Sequence, residues 1–241
     1  MAYRHRLLPV VVMGTATAPA PPVTAALSAQ TLYRFFRAGD EETFALQGVS
    51  MDVERGEIVA VTGPSGSGKT TLLNCLAGLD EPDGGTVRIA GERLSHRVER
   101  ERGMVRARHI GVLFQSGNLL EHLSVGDNIA LVQRLARQTA TSPPQELLER
   151  VGIAGRAGAL PRQLSGGEAA RAGLAVALAN APDVLLADEP TGEVDRETER
   201  RLLVLLRERA DDGTAIVVVT HSRAVAAAAD RVLRLRDGRW V

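Results

Sequence analysis

The chain alternates between short apolar runs of strand length and longer stretches with helical spacing. Glu57-Ile58-Val59-Ala60-Val61-Thr62, Ile110-Gly111-Val112-Leu113-Phe114, Val184-Leu185-Leu186-Ala187 and Ile216-Val217-Val218-Val219 are continuous and rich in β-branched residues. Apolar runs without polar alternation suit strands covered on both faces. Helical spacing fills the intervals: Thr70 to Ala77, 93–108, 168–180, 196–210 and 222–229, with a last strand over Arg231 to Arg236. Strand followed by helix, repeated, predicts a largely parallel sheet with helices on both sides, an α/β fold. Residues 115–163 break the alternation. Within them, 125–160 carry helical periodicity interrupted at Ser142-Pro143-Pro144 and near Gly152 to Gly158, and the whole stretch is expected to be an inserted helical lobe.

Ahead of the first apolar run, 31–36 and 45–53 read as strands around the acidic turn Gly39-Asp40-Glu41-Glu42. Asp83-Gly84-Gly85 is a turn leading into Thr86-Val87-Arg88-Ile89. Folded sequence is expected from Gln30 onward. Residues 1–29 are expected to be a disordered extension, because 14–28 are rich in Ala, Pro and Thr. The first residues imitate a secretory leader, with Arg4 and Arg6 before Leu7-Leu8-Pro9-Val10-Val11-Val12-Met13. That apolar run is at the short limit for a leader and contains a proline.

Lys69 is the only lysine among 29 Lys and Arg residues. It closes Gly63-Pro64-Ser65-Gly66-Ser67-Gly68-Lys69-Thr70, the G-x-x-x-x-G-K-[ST] spacing of a phosphate-binding loop. A compact ammonium fits among β/γ-phosphate oxygens where a planar guanidinium does not. The loop lies between an apolar strand and a breaker-free helix, the context the motif requires. Loop and helix N–H groups would cradle phosphate, and the Thr70 hydroxyl is offered to Mg²⁺.

Two further motifs share this context. The run Val184 to Ala187 ends in Asp188-Glu189. Acid at the end of a buried strand is costly without a partner. Mg²⁺ held by Thr70 and phosphate is such a partner for Asp188, and Glu189 is placed to take a proton from attacking water. Leu164-Ser165-Gly166-Gly167-Glu168 spells a capping box, with Ser165 as N-cap. Its two glycines also leave the backbone of a helix N-terminus open to an anion.

Together these motifs resemble the ATP-binding subunit of ABC transporters over residues 30–241, nearest to the lipoprotein-releasing and macrolide-efflux group. Gly63 to Leu79 and Thr191-Gly192-Glu193-Val194-Asp195 carry that finer likeness. The resemblance implies a P-loop NTPase core with a mostly parallel sheet, an antiparallel β subdomain and the inserted helical lobe. It implies ATP and Mg²⁺ as cofactors, with Gly63 to Thr71 on the phosphates. Phe36 should stack on adenine, with Tyr33 as a rival. Gln115 should touch Mg²⁺ and attacking water and link to the membrane subunit. Ser165, Gly166 and Gly167 should meet the γ-phosphate held by an opposite protomer, and Asp195 should cross that interface or cap the following helix, or both. His221 should sense the γ-phosphate. Glu168-Ala169-Ala170 departs from the glutamines common in the family.

The family fold would keep phosphate loop and signature of one copy apart, so two copies packed head to tail would trap two ATP molecules. Partners implied are therefore a second cassette, identical or homologous, and integral-membrane permease subunits, with the chain on the cytoplasmic face. The function expected is ATP hydrolysis powering export or extraction of an amphipathic substrate. The alternative is a same-fold ATPase regulating a non-transport membrane partner such as a cell-division complex.

Composition narrows this slightly. Net charge is zero and no basic run interleaves with aromatics, so no nucleic-acid footprint is present. The single cysteine, Cys75, excludes an internal disulfide and reads as a buried small hydrophobe. No apolar stretch reaches the roughly 18 residues of a membrane span. His5, His96, His109 and His122 fit no motif and are expected at the surface.

Overall fold

The computed structural model describes residues 25–38, 41–137, 142–192 and 194–241. The leader-like segment, His5, the Gly39-Asp40 turn residues and Glu193 lie outside them.

Two sheets form the body. Strands β1 (Ala25–Ala38), β2 (Glu41–Glu54), β4 (Gly84–Ile89) and β5 (Glu92–Arg93) make an antiparallel sheet in the order β2-β1-β4-β5. The second sheet follows the order β10-β9-β3-β8-β7-β6, from β3 (Ile58–Thr62), β6 (Ile110–Leu113), β7 (Val184–Asp188), β8 (Ala215–Val219), β9 (Arg231–Arg236) and β10 (Arg239–Trp240). Its pairings are parallel except at β10.

Successive residues of the central strands serve opposite cores, as the two-residue period of a strand demands. Val217 faces a core shared with the antiparallel sheet and helix α1 (Lys69–Leu76), including Leu27, Val87 and Leu72. Ile216 and Val218 face a second core with Leu202 and Leu206 of α6 (Arg196–Asp211) and Leu174 of α5 (Gly166–Ala177). Complete burial of each such side chain contributes about 1.5–3 kcal/mol, which holds the strand ends in place. Cys75 is buried in the first core, and burial pushes its thiol up to about 12.

The lobe comprises α3 (Val125–Ala136), α4 (Pro144–Arg150) and two 3-10 turns at Ala154–Arg156 and Pro161–Gln163. Its own small core takes Ala172, Ala175 and Ala179 from α5 and the turn after it. The lobe's packing therefore extends past residue 163 and includes the helix that follows the signature. Buried Asn128 pins its entry, accepting from the Leu120 N–H and donating to the Leu120, Leu123 and Ser124 carbonyls.

Four expectations need correction. Glu41 and Glu42, expected in the acidic turn, already pair in β2 with Ala38 and Arg37 of β1. Strand β1 begins at Ala25, five residues inside the expected extension, with Leu27 and Ala29 fully buried. The helix expected over 93–108 is α2 (Glu99–His109). Ahead of it, Ala90 and Gly91 both take positive φ, 48° and 80°, and turn the chain back into β5 as a two-residue hairpin does. His109 is not a free surface residue: its Nδ1 lies 2.7 Å from an Asp183 carboxylate oxygen. Hydrogen bonds from His109 and Arg55 outweigh burial and hold the Asp183 carboxyl below its ordinary range.

Candidate nucleotide site

Strand β3 delivers the phosphate loop and α1 carries it onward. Two glycines are dictated by close approach. A β-carbon at Gly63 would stand 2.1 Å from the Leu235 carbonyl oxygen, and one at Gly68, which has φ 99°, 2.2 Å from that of Ala45. The loop is thus wedged between β2 and β9. Gly68 is the N-cap of α1 and supplies no side chain to cap it, so the first-turn N–H groups keep their donor capacity for an anion. Lys69 Nζ donates to the carbonyls of Gly63 and Pro64, both at 2.9 Å. The ammonium therefore rests across the loop that its motif assigns to phosphate. Ser67 is buried and its hydroxyl has no protein partner, while Ser65 and Gly66 are exposed.

The ends of β7 and β8 bring the acidic and histidine motifs to the same edge. Thr70 Oγ1 donates to Asp188 Oδ2 at 3.2 Å across 118 residues of sequence. Burial raises the Asp188 carboxyl above its ordinary value, with the neighbouring Glu189 charge adding to it. A half-buried carboxylate beside a hydroxyl is the donor chemistry of a hard divalent cation. The described residues hold no group of three or more His, Cys, Asp or Glu able to bind a metal. Thr70 and Asp188 would hold a magnesium ion here, with phosphate and water completing its shell, and Gln115, the other expected ligand, shares a cleft with the adjacent Glu189.

Glu189 turns sharply out of the strand at φ 46°, a region that costs a non-glycine residue of order 1–3 kcal/mol. Its N–H donates to the Val219 carbonyl. Its carboxylate lies 2.6 Å from His221 Nδ1 through one oxygen, and accepts from Thr220 Oγ1 at 3.2 Å and the His221 N–H at 3.3 Å through the other. His221 shares a cavity of about 420 Å³ with Gly63 and Pro64 of the loop.

Thr220 escaped the sequence reading. It is fully buried and also accepts from the Ser222 N–H. A hydroxyl closing an otherwise apolar strand just before His221 was the available signal. Glu199 escaped as well: its carboxylate accepts from Thr191 and Ser222, tying the loop after Glu189 to the loop after His221.

The remaining motif residues lie around this edge. Gln115 is exposed, and its Nε2 would be 3.8 Å from a β-carbon on Gly192. Gln115, Glu189, Gly166, Ala169 and Ala170 line one cleft of about 290 Å³, to which the phosphate loop contributes no residue. Ser165 caps α5 in the expected reciprocal box with Glu168, and Arg156 binds the same Glu168 carboxylate at 2.8 Å. Gly166 faces open space, whereas a β-carbon on Gly167 would press on Thr198 Oγ1 at 2.8 Å. Asp195 caps α6, accepting from the Glu197 and Thr198 N–H groups at 2.8 and 2.9 Å; the Thr198 and Glu197 bonds hold its carboxyl below the usual range.

Phe36 is 42% exposed on β1. It pairs with Thr43, two residues before the Ala45 carbonyl that abuts Gly68. Tyr33, its rival, packs elsewhere: its hydroxyl would be 3.1 Å from a β-carbon on Gly48 and its ring 3.5 Å from one on Gly84.

A model of the ABC transporter family matches residues 46–192. The lipoprotein-releasing system ATP-binding protein LolD of Chromohalobacter salexigens is 43% identical over 217 residues, covering 88% of this chain and 92% of the relative. The macrolide export ATP-binding/permease protein MacB of Rhodopirellula baltica is 44% identical over 213 residues, 86% of this chain and 31% of the relative. MacB of Escherichia coli K12 is 40% identical over 222 residues, 91% and 34%. The chain thus spans about a third of the length of these MacB relatives. Among solved structures, the dimeric bacterial ABC transporter cassette MJ0796 matches with TM-score 0.81 and 35% identity over 88% of this chain and 95% of that one. A dimeric post-hydrolysis state of MJ0796 bound to ADP and Pi matches with TM-score 0.82 and 34% identity, over 89% and 97%.

Proposed function

The chain belongs to the ABC transporter family, and on that premise we propose that it binds ATP with Mg²⁺ and hydrolyses it between two copies, or two homologous cassettes, to drive an integral-membrane permease. One observation carries this reading: Thr70 and Asp188 meet at 3.2 Å beside the phosphate loop, while the adjacent Glu189 contacts His221 at 2.6 Å. Cation-holding and proton-accepting groups thus stand side by side at one strand end.

Each residue has a task in this reading. Lys69 and the uncapped N–H groups of α1 bind the phosphate chain. Thr70, Asp188 and Gln115 would hold Mg²⁺, which would supply charge neutralisation on the phosphates. Glu189 orients water and accepts its proton, and His221 and Thr220 fix that carboxylate. Gln115 lies across the cleft from α5 and reports occupancy to the lobe. Ser165, Gly166 and Gly167 present the α5 N-terminus to the nucleotide of the opposite copy. Hydrolysis removes γ-phosphate contacts, so closure and opening follow the nucleotide state.

None of the described helices is long and apolar enough to cross a membrane. The likeness to the LolD and MacB proteins supports a place beside a membrane permease, on its cytoplasmic face. The LolD and MacB likenesses favour release or export of an amphipathic substrate. Glu189→Gln tests the chemistry. ATP affinity should be retained and phosphate release should fall by about 10²–10⁴; wild-type turnover would remove Glu189 from its role.

A further inference from the structure

The Phe36 ring is not simply an exposed aromatic. The Arg34 guanidinium lies over it, 4.6 Å from the ring centroid. Its side chain is itself largely buried, at 21% exposure, and is tethered twice: Nη1 to Asp83 at 3.2 Å and Nη2 to Asp80 at 3.5 Å. Asp83 also accepts the Phe35 N–H at 2.9 Å and donates its own N–H to the Tyr33 carbonyl at 2.8 Å. Asp80 donates its N–H to the Asn74 carbonyl, inside α1. One face of the ring is therefore backed by a cation anchored to the segment that ends the phosphate-loop helix, and the side chain as a whole remains 42% exposed.

From this arrangement we propose that Arg34 is a positioning residue for the nucleotide base: it backs the Phe36 ring and fixes it, through Asp80 and Asp83, relative to α1 and the phosphate loop. The inference rests on the assignment of Phe36 to adenine stacking and deepens it. Base stacking on an aromatic side chain strengthens when the ring is already ordered, because less side-chain freedom is lost on binding. A guanidinium over one face of the ring also withdraws that face from solvent and leaves the other for the base. Phosphate contacts do not pass through this pair, so loss of Arg34 weakens recognition of the base alone.

The test compares Mg·ATP with Mg·tripolyphosphate, which has the phosphate chain but no base, by titration calorimetry on the full chain. Arg34→Met should weaken ATP about threefold and leave tripolyphosphate unchanged. Phe36→Ala should weaken ATP by about tenfold or more, and in that background Arg34→Met should add nothing. Unchanged ATP affinity in Arg34→Met, equal loss for both ligands, or an undiminished loss in the Phe36→Ala background would each overturn the inference while leaving adenine stacking intact. Unaltered ATP binding by Phe36→Ala refutes the stacking assignment itself, and the inference with it. Should Arg34→Met fail to fold, Arg34→Lys keeps the charge beside both carboxylates but loses the broad guanidinium over the ring. It should show a smaller base-selective loss, and its absence counts against the proposal equally.

Discussion

The strand edge at Asp188 and Glu189 and the start of α5 are built from similar materials, yet one closes on itself and the other stays open. At the edge, Thr70 is bonded to Asp188, and Glu189 to Thr220 and His221. At α5, Ser165 and Glu168 satisfy each other locally, but Gly166 meets nothing within 4 Å and the phosphate loop does not reach the cleft it lines. In the proposed reading, the chain carries the groups for cleaving a phosphoanhydride and only half of an enclosure. Groups withdrawn from water, such as Glu189 and Thr220, need partners within the fold, whereas a helix end kept for another molecule must leave its backbone uncovered.

Substitutions can separate the two regions, beginning with the largest expected effect. Lys69→Ala should weaken ATP binding by about 10² or more, through loss of charge-assisted contacts to phosphate, while thermal melting of the nucleotide-free protein stays near wild type. Gly166→Asp should leave ATP binding by an isolated copy unchanged and cut steady-state hydrolysis at least about tenfold, because a carboxylate then faces the triphosphate across the interface. Equal loss of binding would mean that α5 serves its own copy's nucleotide, and the contrast would break down. Thr220→Val removes one hydrogen bond to Glu189; hydrolysis should fall about fivefold, corresponding to roughly 1 kcal/mol, with ATP affinity preserved.

The smallest effect sharpens the contrast from outside the site. Asp230 accepts the Ile58 N–H and pairs with Arg207, fixing β3 to α6. The Ile58 bond, with Arg207 after it, lowers the Asp230 carboxyl. A depressed carboxyl stabilises the fold fully above its unfolded value near 3.9, and that contribution fades as pH falls through the lower folded value. Asp230→Asn should therefore melt earlier at pH 7, by less than about 1 kcal/mol given its exposure. As pH falls below the unfolded value the gap should narrow. Hydrolysis per folded molecule should not change.

How much of this could be read from the sequence differed by region for physical reasons. The parallel strands were visible to within a residue or two because full burial demands continuous apolar runs, as in Ile216 to Val219. The phosphate loop was visible because close backbone approach tolerates little but glycine at Gly63 and Gly68. The start of β1 was hidden because Ala25, Ala26, Ser28 and Ala29 fold into a sheet while resembling in composition the small-residue sequence before them. Links made by side chains across long sequence separation were also hidden. Thr220 to Glu189, Arg34 to Asp80 and Asp83, and His109 to Asp183 are set by tertiary placement, and no local pattern announces them. Gln115 and Asp195 were found through motif order. Their positions beside Gly192 and at the head of α6 then followed from strand register and helix capping.

The central claim is that two copies complete each other's nucleotide sites, and the mass of Glu189→Gln in solution tests it most directly. Light scattering should give a monomer without nucleotide and with Mg·ADP, and a dimer with Mg·ATP that the additional Gly166→Asp substitution abolishes. A variant that binds Mg·ATP tightly yet remains monomeric at every protein concentration would contradict the account.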